Sequence, residues 1–188
     1  MRRGGAAAAL VALALSAPAA HAVETSVMAF GGLVTLNTWE EVVAILPIEW
    51  AGAGIFGVAG AVHVGLPIRN LEFGAEVQLA RYVGRQQSWE VNVVPAIARW
   101  RPETPLGPLE SLAFGLGYSY ASEPPAVEIR RGGDSSRDKW YWVIEAGFAA
   151  ARPDREIVMR LHHRSTGNDS IGFGGSTNAV VVGLRQRF

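Results

Sequence analysis

The feature that most constrains this chain is an alternation of large apolar residues with small or polar ones. Side chains at every second position of a β-strand share one face, so the alternation predicts strands rather than amphipathic helices. In one segment, Trp140, Trp142 and Ile144 alternate with Tyr141 and Glu145. Eight such segments follow one another: Ser26–Thr35, Ile55–Val64, Leu71–Leu79, Trp89–Ala98, Leu112–Tyr120, Trp140–Ala149, Glu156–Ser165 and Val180–Phe188.

Two all-β folds fit these segments, and they differ in which face is buried. In a soluble sandwich the large apolar face is the core, whereas in a small membrane barrel that face meets lipid and the small and charged residues fill the lumen. The second face here is rich in Gly and Ala and carries charges of both signs, and the chain ends in Phe188 on an alternating strand. These features favour an all-β, eight-stranded antiparallel up-and-down transmembrane barrel.

This interpretation assigns a direction to individual side chains. Glu76 and Glu145 should point into the lumen and pair with arginine, and the longer connections, Glu123–Asp138 and Thr166–Ser176, should lie at one end of the barrel. Aromatic residues should gather at that same end, as they do at membrane interfaces. The predicted lipid-facing belt includes Phe73, Val77, Leu116, Ile144, Met159 and Val182. Ile97 is on the large apolar face of its own segment, so it should face lipid as well.

The amino terminus reads as an export signal. Met1–Ala22 has two arginines, a short apolar run and an Ala-His-Ala cleavage pattern. Cleavage would leave Val23–Phe188 as one barrel domain, with 15 basic and 17 acidic residues and no cysteine. This balance gives no basic footprint for nucleic acid. Export and a barrel together predict the outer membrane of a Gram-negative cell.

The segment Glu156–Ser165 contains two candidate catalytic residues. Its apolar face continues in the same phase into His163 and Ser165, a base and a hydroxyl on one side of a strand. Asn178 has the matching parity on the following strand, so antiparallel pairing should bring it close to both. The pair either marks the exit of the strand into the headgroup zone or forms a hydrolytic site that faces lipid.

The motif His163-Arg164-Ser165 on the penultimate strand, followed by the short run from Asn178 to the end, resembles the PagL-type lipid A 3-O-deacylases. The resemblance is clearest over Trp89–Phe188. It implies an outer-membrane esterase in which Ser165 is the nucleophile, His163 the base and Asn178 the residue that orients the imidazole. The chain departs from the family at Thr166, where asparagine is usual, and at Asn178, where glutamate is usual.

The substrate that the resemblance implies is an ester-linked acyl chain of lipopolysaccharide lipid A in the outer leaflet, and no cofactor or metal is implied. Asp169 is the alternative to Asn178 as the orienting group, and backbone N–H groups of Thr166–Asn168 are candidates for the oxyanion site. A glutamate at position 178 should raise the rate by restoring a charge next to His163.

Two other functions remain open from the sequence: an inactive, structural or lipid-binding barrel of the same type, and an unrelated small barrel that serves as a transporter or adhesin. The acyl chain cleaved and the oligomeric state are left open as well. His162 and His63 should be luminal and structural. Arg130 and Arg131 lie in the longest predicted loop, where they could meet lipid phosphates or be solvated.

Overall fold

The computed structural model describes residues 23–66, 68, 70–104, 106–130, 135–166 and 175–188. The predicted signal peptide, Met1–Ala22, lies outside these residues. Within them, eight antiparallel strands pair in chain order and the last strand pairs with the first, which closes the barrel. The strands are β1 Val23–Thr35, β2 Trp50–Gly65, β3 Leu71–Gly84, β4 Trp89–Trp100, β5 Leu109–Ala121, β6 Asp138–Ala149, β7 Arg155–Ser165 and β8 Ser176–Arg187. The predicted eight-stranded up-and-down barrel is therefore confirmed.

The apolar face lies outside, as the membrane interpretation requires. Six of the residues predicted to face lipid are 36–55% exposed, whereas Glu76 and Glu145 are at most 2% exposed in the interior. In a soluble sandwich these exposures would be reversed. The six residues are Phe73, Val77, Leu116, Ile144, Met159 and Val182.

Ile97 is the exception, and a β-bulge explains it. The pairing of β4 with β5 shifts between Val93 and Ala96, an interval that contains Pro95. An extra residue in one strand reverses the alternation beyond it, and proline has no N–H to give to the ladder. Ile97 is consequently fully buried and belongs to an interior cluster with Val143. The prediction that Ile97 faces lipid was wrong.

The two ends of the barrel differ. Connections 36–49, 85–88, 122–137 and 166–175 define what we call the loop end, and connections 66–70, 101–108 and 150–154 define the turn end. Four of the aromatic residues expected to form an interfacial girdle are exposed near the loop end. They are Trp89, Tyr118, Tyr120 and Trp140, and Phe73, Trp100 and Phe188 are exposed near the turn end.

Two short helices lie in loop-end connections and were not predicted. The first, α1 (Trp39–Val43), begins with a capping box, in which Glu41 N donates to Thr38 Oγ1 (3.4 Å) and Thr38 N donates to a Glu41 carboxylate oxygen (2.9 Å). The second, α2, is Ala126–Arg130, and its Glu128 is buried against Lys139 and Thr177. Neither of these helices is long and apolar enough to cross a membrane.

The interior is filled by a charge network. Glu145 accepts hydrogen bonds from Arg99 (2.7 Å), Arg160 (2.6 Å) and Arg185 (2.6 Å). Arg160 also donates to both oxygens of Glu76, at 2.8 and 3.0 Å. The predicted pairing of Glu76 and Glu145 with arginine is thus confirmed. Because these charges are buried and mutually bonded, they fix the register of the strands that carry them.

Candidate functional site

The hairpin of β7 and β8 brings the predicted site residues together. In the antiparallel register, His163 pairs with Asn178 and Ser165 pairs with Ser176. Paired residues share a face, and this face is the one on which Met159 and Val182 are exposed. The three predicted residues therefore lie on the outer wall of the barrel, at the loop end.

His163 and Asn178 form a short hydrogen bond whose direction can be assigned. His163 Nδ1 lies 2.6 Å from Asn178 Oδ1, and Asn178 Nδ2 donates to the backbone carbonyl of Asn37 at 2.9 Å. A carbonyl only accepts, so the amide must present its NH₂ group to Asn37 and its oxygen to the imidazole. His163 then carries its proton on Nδ1, and Nε2 is left with the lone pair that a general base needs.

Ser165 is near this pair but not yet bonded to it. It lies two residues from His163 on the same face, and both residues line one groove. Among the described residues, the Ser165 hydroxyl makes no hydrogen bond to His163. Catalytic hydrogen bonds are often long or poorly aligned without substrate, so the missing bond does not exclude Ser165 and His163 as nucleophile and base.

The site is covered, although it lies on the outer wall. His163 and Asn178 are each 2% exposed and Ser165 is 6% exposed. The Trp142 ring stacks on His163 with centroids 4.2 Å apart, and Trp39 of α1 packs edge-on against Trp142 at 5.6 Å. The position of Ser165 at the end of its strand predicts a hydroxyl exposed at the barrel rim, and this prediction is wrong. The β1–β2 connection is part of what covers the site.

An apolar groove of about 520 Å³ opens beside Ser165. Its polar side chains include His163, Ser165 and Glu40, which belongs to α1. The apolar and aromatic residues that line it are Trp39, Phe114, Leu116, Trp140, Tyr141, Trp142 and Ile144. A groove of this composition suits a hydrocarbon chain whose polar end lies against the histidine and the serine.

A second cavity continues this apolar surface along the barrel wall. It measures about 180 Å³ and is bounded by Val42 and Val43 of α1 on one side and by Met159 and Leu161 of β7 on the other. Ile144 lines both spaces. Helix α1 thus lies over the wall of the barrel, with apolar space between the helix and the strands.

The sequence also predicts an alternative orienting residue and three backbone donors for the oxyanion, and most of these lie outside the described residues. Asp169 and two of the three proposed oxyanion donors, Gly167 and Asn168, lie outside them, and Thr166 lies within them at the end of β7. The described chain holds no group of three or more His, Cys, Asp or Glu residues that could bind a metal ion.

Two histidines point inward, as predicted. His162 is fully buried and hydrogen-bonded to Glu90 (2.7 Å) and to the Tyr141 hydroxyl (3.0 Å). His63 is 2% exposed. Of the two loop arginines predicted to meet lipid phosphates or be solvated, Arg130 donates to the backbone carbonyl of Arg85 at 2.7 Å, and Arg131 lies outside the described residues.

Sequence reasoning missed Asn37, Trp39 and Glu40, which reach the site from the β1–β2 connection. A local signal for α1 was present, because Thr38-Trp39-Glu40-Glu41 has the Thr-x-x-Glu spacing of a capping box. That signal indicates where a helix begins. It carries no information about the strand over which the helix will lie.

No protein-family model matches the chain, and no curated protein matches it. Among solved structures, the chain is similar to the crystal structure of Neisserial surface protein A (NspA), with a TM-score of 0.49 and 12% sequence identity. The alignment covers 88% of this chain and 97% of that one.

Proposed function

We propose that this protein is an outer-membrane esterase that removes an ester-linked acyl chain from lipid A. The observation that carries the proposal is the oriented His163–Asn178 pair, set beside Ser165 on the outer wall of the barrel. A hydrolytic site on that wall would meet a substrate that itself lies in the membrane. The loop end of an outer-membrane barrel lies in the outer leaflet. The lipid there whose acyl chains are esterified to sugar hydroxyls is lipopolysaccharide.

The reaction uses the three side chains in sequence. Ser165 Oγ bonds to the acyl carbonyl carbon as its proton passes to His163 Nε2. The bond between that carbon and the sugar oxygen then breaks, and the imidazolium returns the proton to the departing hydroxyl. Water repeats the two steps on the acyl-serine and releases the fatty acid. Asn178 keeps the imidazole in the tautomer that can accept the first proton.

The groove provides a place for the acyl chain. The rings of Trp142 and Phe114 form apolar walls next to Ser165, and the cavity beneath α1 extends the apolar surface past Ile144. A hydrocarbon chain that enters the groove leaves membrane lipid, which is equally apolar, so the transfer contributes little binding free energy. The groove therefore contributes to the position of the ester carbonyl more than to binding affinity.

The resemblance of His163-Arg164-Ser165 to the PagL-type motif supports the same reaction. The unusual residue at position 178 is compatible with it, because an amide oxygen accepts from Nδ1–H and fixes the tautomer. The amide supplies no negative charge for the imidazolium. We therefore expect a slower enzyme than one with a carboxylate in an otherwise equivalent site.

A lipid-binding barrel without catalytic activity is the second candidate. Two observations favour it: the neutral Asn178, and the absence of a hydrogen bond between Ser165 and His163 in the described residues. Such a protein would hold an acyl chain in the same groove. The two candidates differ in a single measurable property, the release of fatty acid.

Purified protein in vesicles that contain lipid A tests the proposal. Released fatty acid is expected with the unaltered chain and should vanish in Ser165→Ala and His163→Ala. Ser176→Ala is the matched control, because it removes the hydroxyl of the residue paired with Ser165 and should keep the activity. No release by the unaltered protein from any lipid A would favour the lipid-binding barrel.

A further inference from the structure

We infer that Asn37 is a positioning residue, through which the β1–β2 connection sets the tautomer of His163. The inference rests on the proposed function, because it concerns the base of that reaction. Asn37 touches neither the reacting serine nor the groove in the described contacts. It acts through Asn178, whose amide nitrogen donates to the Asn37 carbonyl at 2.9 Å.

The Asn37 side chain holds that carbonyl in place by joining both ends of the connection. Its Oδ1 accepts from Glu49 N (2.7 Å) and from Thr35 Oγ1 (2.7 Å). Its Nδ2 lies within hydrogen-bonding distance of the Pro47 carbonyl (3.2 Å) and of a Glu41 carboxylate oxygen (3.3 Å). The backbone N–H of Asn37 donates to Thr35 Oγ1 (3.0 Å). Asn37 therefore forms hydrogen bonds through its side-chain oxygen, its side-chain nitrogen and its backbone N–H.

The contact with Asn178 decides between two states of the histidine. If the Asn178 amide were reversed, its oxygen would face the carbonyl oxygen of Asn37, and its NH₂ group would face His163 Nδ1. The imidazole would then carry its proton on Nε2 and could not accept one from Ser165. The fixed carbonyl disfavours this arrangement because two acceptors would face each other without a proton between them.

The same contact accounts for the amide at position 178. A carboxylate has no N–H to give to Asn37, so it would turn an oxygen toward the carbonyl instead. Asparagine satisfies the imidazole and the connection together. An amide at position 178 thus provides an acceptor for His163 and a donor for the β1–β2 connection, whereas a carboxylate would provide only the acceptor.

Trp39, in the same connection as Asn37, supports the ring stacked on the face of the His163 imidazole. Trp39 follows Asn37 by two positions and packs edge-on against Trp142, which stacks on His163. One connection therefore reaches the imidazole by two routes, in the plane of the ring through Asn178 and across its face through Trp142.

The test is a double-variant comparison with two readouts. Asn37→Ala is measured in the unaltered chain and in Asn178→Ala, by fatty acid release from lipid A in vesicles and by ¹⁵N NMR of the histidine nitrogens. Glu49→Ala is the matched control, because the bonds of Glu49 to Asn37 and Thr35 come from its backbone. Thr35→Val, which removes the second anchor and keeps the side-chain shape, serves if Asn37→Ala fails to fold.

We expect Asn37→Ala to lower the rate by about three- to tenfold in the unaltered chain, the range for one hydrogen bond. In Asn178→Ala the same change should have less than about a twofold effect, since the link is already cut. The NMR spectrum should show His163 protonated on Nδ1 in the unaltered chain and in Glu49→Ala. In Asn37→Ala and Thr35→Val the Nε2-protonated form should appear.

An unchanged tautomer in folded Asn37→Ala and Thr35→Val would overturn the inference, as would an equal loss of rate in both backgrounds. A chain that releases no fatty acid but shows the expected tautomer shift would contradict the proposed function alone. The two failures are therefore distinguishable, because the NMR readout does not depend on turnover.

Discussion

Asn178 is the residue at which the structure changes a sequence-based expectation most. From the sequence, Asn178→Glu should raise the rate by placing a charge beside His163. In the structure, a glutamate also loses the donor to the Asn37 carbonyl and needs space for another methylene at a position that is 2% exposed. Loss of one hydrogen bond costs about 0.5–1.5 kcal/mol.

We therefore expect Asn178→Glu to release fatty acid more slowly than the unaltered protein, measured as initial rate on lipid A in vesicles. Asn178→Ala provides the reference for simple loss of the amide. If the glutamate variant is the fastest of the three, the contact with Asn37 does not constrain position 178.

Glu145 is the residue on which the interior charges converge. Glu145→Gln removes the shared anion from Arg99, Arg160 and Arg185, which are almost completely buried. Loss of one partner from a buried ion pair costs about 3–5 kcal/mol, because the remaining charge is uncompensated. We expect a loss of that size in the free energy of unfolding, measured by urea titration in lipid vesicles.

The control for Glu145→Gln is Arg152→Ala at the turn end. Arg152 pairs with Asp154 at 3.0 Å, but its side chain is 61% exposed. Exposed ion pairs contribute at most about 1 kcal/mol. Equal effects of the two substitutions would show that the interior pairs are not desolvated in the membrane-inserted protein.

Among the strands, β8 contains a position at which a substitution can test which face of the barrel contacts lipid. Val182 is 50% exposed near the middle of the strand, with Met159 opposite it on β7. Val182→Arg should cost about 2–4 kcal/mol of stability if this point lies at the bilayer midplane. Val23→Arg, at the first residue of β1, should cost about 0–1 kcal/mol. Similar unfolding curves for the two variants would contradict the assigned belt.

The strands could be predicted from the sequence because each carries its own period, and the parity of Glu76 or Met159 follows from that period alone. The burial of Ile97 could not be predicted, because one extra residue near Pro95 reverses the alternation, and the period of the strand does not show where that reversal begins. The His163–Asn178 pairing could be predicted because a single hairpin fixes it. The contact between Asn178 and Asn37 could not, since it joins residues 141 positions apart and only closure of the barrel brings them together.

At the scale of the whole molecule, the barrel is a filled body and not a pore. The interior of the described strands holds Arg99, Arg160, Arg164 and Arg185, each at most 1% exposed, and α2 places Glu128 against Lys139 near the loop end. An eight-stranded barrel has an interior just wide enough for side chains to fill. The groove beside Ser165 lies outside this filled interior, on the outer wall.

We accordingly expect no discrete ion conductance when the protein is inserted into planar bilayers. A porin of larger diameter recorded under the same conditions is the positive control. Steady unitary currents from the unaltered chain would show that the interior network opens, and would favour a transport function over a site on the outer wall.

The proposed removal of an acyl chain from lipid A by Ser165 can be followed in living cells. Lipid A is analysed by mass spectrometry from Gram-negative cells that produce the unaltered protein, Ser165→Ala or Ser176→Ala. We expect the unaltered chain and Ser176→Ala to convert lipid A to a species lighter by one ester-linked acyl group, and Ser165→Ala to leave lipid A intact. Intact lipid A in all three strains, with each protein folded in the outer membrane, would contradict the proposed function, and so would full conversion by Ser165→Ala.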